Sequence, residues 1–124
     1  MGRIAAGEPI EAFLTPDDQI ELSRELADDT SYALRVRGRS MIEDLIDDGD
    51  LVVIHPQETA NNGEIVVALI PDSVTGEGQV TLKRLYRETG RIRLQPANSE
   101  MQPIYVRPDE VRVQGRVTAV IRRL

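Results

Sequence analysis

The sequence predicts a single, mostly β domain, and three features carry that prediction. Valine, isoleucine and leucine recur in short runs that alternate with polar residues or stand as brief apolar blocks, the pattern of half-buried and fully buried strands. Turn signals, among them Asn61-Asn62-Gly63, Thr89-Gly90 and Pro96-Ala97-Asn98-Ser99, punctuate those runs. Aromatic residues make up only 3% of the chain, so its core must be aliphatic. At 124 residues, 40% of them hydrophobic, the chain is long enough for one domain with a modest core and too short for a comfortable second.

Residues 1–16 show little periodicity. Ile4-Ala5-Ala6-Gly7-Glu8-Pro9 is a set of small residues followed by a turn signal, which reads as an accessible extended arm. Asp17 to Ala27 is predicted as a short helix, with Pro16 near its first turn and Ile20, Leu22 and Leu26 on its apolar face. Tyr32 to Val36 reads as a strand, because Leu34 and Val36 alternate with Arg35 and Arg37. Gly38 breaks it and lets Ser40 project. Met41 to Ile46 is expected to form a helical turn or irregular crossing, and Leu51 to Ile54 a continuous apolar strand.

Glu64 to Ile70 is apolar on both parities, which predicts a central strand covered on both faces. Pro71 to Gln79 reads as a hairpin loop leading to the strand Val80 to Tyr86. Ile92 and Leu94 alternate with arginines, and Ile104 to Val106 and Val111 to Ile121 complete the strands. The chain contains no internal repeat, low-complexity tract or linker.

Composition narrows the chemistry. There is no cysteine, which excludes disulfides, cysteine-bound zinc and a thiol nucleophile and fits a reducing compartment. Fifteen basic and 21 acidic residues leave a net charge of −6, a poor balance for gripping nucleic acid by its phosphates. No apolar run approaches the ~20 residues that span a bilayer, and the N-terminus lacks a secretory pattern. A cytoplasmic protein is the expectation.

Ser40 is an ordinary turn residue unless a base stands near it, since an alcohol is a weak nucleophile at neutral pH. Lys83 and Arg84 sit side by side in Val80-Thr81-Leu82-Lys83-Arg84-Leu85-Tyr86, and strand alternation sends them to opposite faces without deciding which is buried. Chemistry favours Lys83, because a desolvated lysine can lose its proton whereas arginine stays charged. A Ser40–Lys83 dyad is one reading. His55, with Asp48 or Asp50 orienting it, is a second. Glu43, Asp44, Asp47, Asp48 and Asp50 lack the spacing of a calcium loop and read as a turn. Arg116, Arg122 and Arg123 read as solvated strand residues.

Several blocks, in order, resemble the C-terminal self-cleaving domain of LexA-type repressors, the S24 peptidases, over nearly the whole chain. Gly2-Arg-Ile-Ala-Ala-Gly-Glu-Pro9 is similar to that family's cleavage loop, Gly38-Arg-Ser-Met41 with Asp48-Gly-Asp50 to its nucleophile segment, and Val80-Thr-Leu-Lys-Arg-Leu85 to the segment holding its lysine base. Pro96-Ala-Asn-Ser-Glu100 and Gly115-Arg-Val-Thr-Ala-Val-Ile-Arg122 are similar to later family blocks.

The resemblance implies twisted antiparallel β-sheets of the LexA and signal-peptidase type, with Ser40 and Lys83 as catalytic dyad and the Ala6–Gly7 bond as cleavage site. It implies residues 1–16 as cleavage arm and 17–124 as self-cleaving and dimerisation domain. It also implies a homodimer and cleavage stimulated by RecA filaments on single-stranded DNA in the SOS response. No cofactor or metal is implied. The family's DNA-binding winged helix-turn-helix precedes such a domain, so this chain is expected to be a fragment that reaches operator DNA only through that missing part. Arg39 and a longer 71–79 hairpin depart from the pattern. A phage-repressor or UmuD-like self-cleaving protein, or a non-cleaving dimerisation module, are the alternatives. The arm is expected to rest away from Ser40 until RecA favours its docked state.

Overall fold

The computed structural model describes residues 3–5, 30–71 and 78–122. Among them eight strands form one sheet in the order β1-β2-β3-β8-β4-β5-β6-β7. The strands are β1 (Arg3–Ala5), β2 (Tyr32–Arg37), β3 (Leu51–Pro56), β4 (Ile65–Ile70), β5 (Gln79–Glu88), β6 (Arg91–Gln95), β7 (Ile104–Val106) and β8 (Arg112–Ile121). β2 to β8 pair antiparallel, and β1 adds to the edge of β2 in parallel. The mostly β fold with antiparallel pairing is as the sequence predicts. No helix among the described residues is long and apolar enough to cross a membrane.

β4 occupies the interior position its two-sided apolar pattern demands. Val67 joins one core cluster, with Leu34, Val36, Met41, Ile46, Val52, Ile54 and Leu82. Val66, Ala68 and Ile70 join a second, with Leu85, Ile92, Leu94 and Val106. Consecutive residues of one strand thus feed cores on both faces, as the period of two requires. β8 threads between β3 and β4, and its register shifts against both. Gly115 lies where β8 presses closest: a Cβ there would stand 2.7 Å from the carbonyl oxygen of His55, so no larger residue fits without moving backbone.

Three differences from expectation concern the site. Residues 3–5, expected in a free arm, pair with Arg35, Val36 and Arg37. An edge strand carries unpaired backbone donors and acceptors, and even three residues can satisfy them without a hydrophobic pattern to announce it. β5 is longer than expected at both ends. The connection between β2 and β3 is pinned more closely than a loop, since Gly49 N–H donates to Val36 O at 2.8 Å and Val36 N–H to Asp50 O at 2.8 Å. The predicted helix at 17–27, Ala6, Gly7, Arg123 and the hairpin tip at 72–77 lie outside the described residues.

Candidate active site

Ser40 sits in the segment that leaves β2. Gly38 takes the left-handed conformation, φ +85°, and its N–H donates to Asp48 Oδ1 at 2.7 Å. That turn directs the chain back over the sheet, where Met41 buries completely and Ile42–Asp44 form a short 3-10 turn. The turn at 96–100 braces the segment from outside. Glu43 N–H donates to Ala97 O at 2.7 Å, Ser99 N–H to Glu43 Oε2 at 2.7 Å, and Asn98 Nδ2 to Arg39 O at 3.0 Å. Ser40 is held by its neighbours on both sides and is only 1% exposed.

Lys83 reaches Ser40 from β5. Its Nζ donates to Ser40 Oγ at 3.2 Å and to Thr81 Oγ1 at 2.6 Å, and the lysine is 1% exposed. Burying an ammonium among apolar groups favours the neutral amine, and here burial pushes the Lys83 pKa down to about 8. Alternation left Lys83 and Arg84 equivalent, and the structure separates them: Lys83 is enclosed, while Arg84 is half-buried and paired with Asp44 at 2.7 Å. Once neutral, Lys83 has a lone pair to accept the Ser40 proton, so the contact can invert its direction.

Thr81 is the residue sequence reasoning passed over. It lies two positions before Lys83, hence on the same face of β5, and is fully buried. That spacing was the available signal. Its hydroxyl fixes the direction of the amine.

His55 stands elsewhere. β2 pairs Tyr32 with Ile54 and Arg35 with Leu51, so His55 extends beyond the Tyr32 end of β2 whereas Ser40 follows the Arg37 end. Those ends are roughly 17 Å apart at the usual strand rise. The carboxylates of the 43–50 group are engaged by protein donors. Asp44 takes Arg84, Asp48 takes Gly38, and Asp50 takes Arg122 and the N–H of Asp47. Arg122, expected as a solvated residue, clamps a buried carboxylate. Arg116 bridges to Glu64 at 3.2 Å, and Arg39, at the departure from the pattern, to Asp47 at 3.3 Å.

The architecture and the enclosed lysine beside a turn serine agree with the family indicated by the sequence blocks, and a family model decides the matter: one described as Peptidase S24-like matches residues 1–118. The chain belongs to the S24 peptidase family. The LexA repressor of Roseiflexus sp. (strain RS-1) is 46% identical, covering 100% of this chain and 59% of that protein. That of Herpetosiphon aurantiacus is 47% identical, covering 100% and 59%, and that of Koribacter versatilis 48%, covering 99% and 56%. This S24 domain therefore spans less than two thirds of these relatives' length, and its match to LexA repressors is that of a LexA-type fragment.

Proposed function

We propose that the chain is the self-cleaving domain of a LexA-like repressor, cutting its own Ala6–Gly7 bond with Ser40 as nucleophile and Lys83 as general base. The observation that carries this reading is the buried 3.2 Å contact between Lys83 Nζ and Ser40 Oγ, in surroundings that lower the lysine to about 8. Neutral Lys83 takes the Ser40 proton as Oγ attacks the Ala6 carbonyl. The resulting ammonium then gives a proton to the departing Gly7 amine, leaving an acyl-enzyme that water hydrolyses. The backbone N–H of Ser40 is the candidate oxyanion donor, a contribution of about 10²–10³-fold per donor in known cases.

The pairing of Ala5 with Arg37 supports a substrate from the same chain, because β1 runs parallel to β2 toward the end from which Ser40 departs. Cleavage within one chain replaces an encounter with a high effective concentration. Residues 1–16 then act as cleavage arm and 17–124 as catalytic and dimerisation domain. Homodimerisation, stimulation by RecA filaments on single-stranded DNA, operator binding through a separate N-terminal domain, a cytoplasmic setting and a role in the SOS response follow from the LexA resemblance.

Incubation from pH 7 to 11 with intact-mass detection tests the reading. The expected product lacks residues 1–6, forms at a rate independent of dilution, and appears faster at pH 7 when RecA filaments are added. A chain that stays whole at every pH contradicts self-cleavage.

A further inference from the structure

Ser40 and Lys83 are not the only polar link between the nucleophile segment and β5. Asp44, at the end of the 3-10 turn, accepts two hydrogen bonds from Arg84, Nε to Oδ2 at 2.7 Å and Nη2 to Oδ1 at 3.0 Å. The third guanidinium nitrogen, Nη1, donates to Gly63 O. The turn containing Gly63 is itself fastened to β5, with Gly63 N–H donating to Leu85 O at 2.8 Å and Leu85 N–H to Glu64 O at 3.0 Å. Arg84 is therefore held on its scaffold side and offers Asp44 a fixed fork. A two-pronged guanidinium–carboxylate contact sets orientation as well as distance, which a lysine in its place does not.

Neighbouring residues of β5 thus meet neighbouring parts of one segment: Lys83 meets Ser40, and Arg84 meets Asp44. Among the described residues, the segment's other polar braces run to the 96–100 turn, to Asp47, to Asp48 and to Arg122. With side chains 35% and 21% exposed, the Arg84–Asp44 pair is partly sheltered from the screening that weakens open surface pairs.

We propose that the Arg84–Asp44 fork is a positioning device that holds the 40–44 segment against β5 at the separation where Ser40 Oγ meets Lys83 Nζ. The proposal rests on the dyad reading above. Arg84 and Asp44 take no part in bond making; they act through the placement of Ser40.

The test follows autocleavage of the full chain by intact mass between pH 6 and 11, in wild type, Arg84→Ala, Arg84→Lys, Asp44→Asn and the double variant Asp44→Asn/Arg84→Ala. Thermal melting identifies the temperature at which all remain folded. Positioning predicts that the plateau rate, reached where Lys83 is neutral, falls about a hundredfold in each single variant, as a misplacement of ~1 Å does elsewhere. Arg84→Lys falls with Arg84→Ala because it keeps the charge and loses the fork. The midpoint of the pH profile stays at about 8. The double variant is no slower than the slower single.

A lowered melting temperature with an unchanged plateau overturns the proposal, as does a moved midpoint with an unchanged plateau or a double variant slowed by the product of the single effects. Ser40→Ala and Lys83→Ala, run alongside, separate the two readings. Cleavage by Lys83→Ala at the wild-type rate defeats the dyad itself. Inert Lys83→Ala beside Arg84→Ala at the full plateau defeats only the positioning role.

Discussion

Arg122 closes a fork on Asp50 across 72 residues of sequence, Nε to Oδ1 at 2.9 Å and Nη2 to Oδ2 at 2.7 Å, and the same Nη2 also donates to Leu45 O at 3.1 Å. Asp50 is 4% exposed and also accepts from Asp47 N–H at 2.8 Å, so the end of β8 is fastened to the turn that follows the segment carrying Ser40.

Removing either partner is expected to destabilise the fold unequally. Arg122→Met leaves a buried carboxylate without its counter-charge, whereas Asp50→Asn leaves an arginine free to reach water, so Arg122→Met melts at the lower temperature at pH 7. The Arg122 hydrogen bonds hold the Asp50 carboxyl below its ordinary value of 3.8. A folded-state value so lowered contributes stability above the ordinary value and loses it as pH falls through the lowered one. Calorimetry across pH 2–8 is expected to show the stability gap between wild type and Asp50→Asn steady above pH 5 and narrowing in acid. Equal melting of Arg122→Met and wild type at pH 7 contradicts the clamp.

Lys83 links stability to pH in the opposite range. Its pKa falls from 10.5 to about 8 on folding, so between those values the unfolded chain binds more protons and stability rises with pH. Below about 8 the penalty is complete, on the order of 3 kcal/mol. Lys83→Met is therefore expected to be inactive yet to melt higher than wild type at pH 7, with the advantage shrinking toward pH 10.5. Denaturant titrations at pH 7 and pH 10.5 check this, and a variant less stable than wild type at pH 7 contradicts it.

Thr81→Val keeps the shape beside Lys83 and removes the acceptor of its 2.6 Å hydrogen bond. That bond favours the charged amine and aims it, so its loss is expected to lower the plateau cleavage rate by about tenfold and to move the pH midpoint toward acid, never toward alkali. A rate-against-pH series decides it.

Leu45 adopts φ 63° and is 78% exposed. An L-residue in the left-handed region costs roughly 1–2 kcal/mol, and glycine escapes that at an entropic cost of about 0.5–1 kcal/mol. Leu45→Gly is expected to stabilise by about 0.5 kcal/mol, measurable by chemical denaturation. Destabilisation by the substitution indicates that the leucine side chain packs where it looks open.

Much of this fold was legible because alternation and turn chemistry act locally. Leu34 and Val36 announced β2, Ile92 and Leu94 announced β6, and the doubly apolar β4 announced an interior strand. The contact of Lys83 with Ser40 was anticipated on chemical grounds, since a chain without cysteine offers few nucleophile and base pairs. The forks of Arg84 on Asp44 and Arg122 on Asp50 were not. They join residues 40 and 72 positions apart, and nothing in the local pattern of an arginine tells a clamp from a solvated side chain. β1 escaped for a different reason: three residues are too few to show a period, and its pairing depends on the open edge of β2.

Self-cleavage by a Ser40–Lys83 dyad is tested most directly by the alkaline time course of intact mass for wild type, Ser40→Ala and Lys83→Ala at equal thermal stability. Loss of residues 1–6 is expected from the wild type alone, with a rate that climbs about tenfold per pH unit below the Lys83 value of about 8 and levels above it. Cleavage of Lys83→Ala at the wild-type rate, or a wild-type cut at a bond other than Ala6–Gly7, contradicts it.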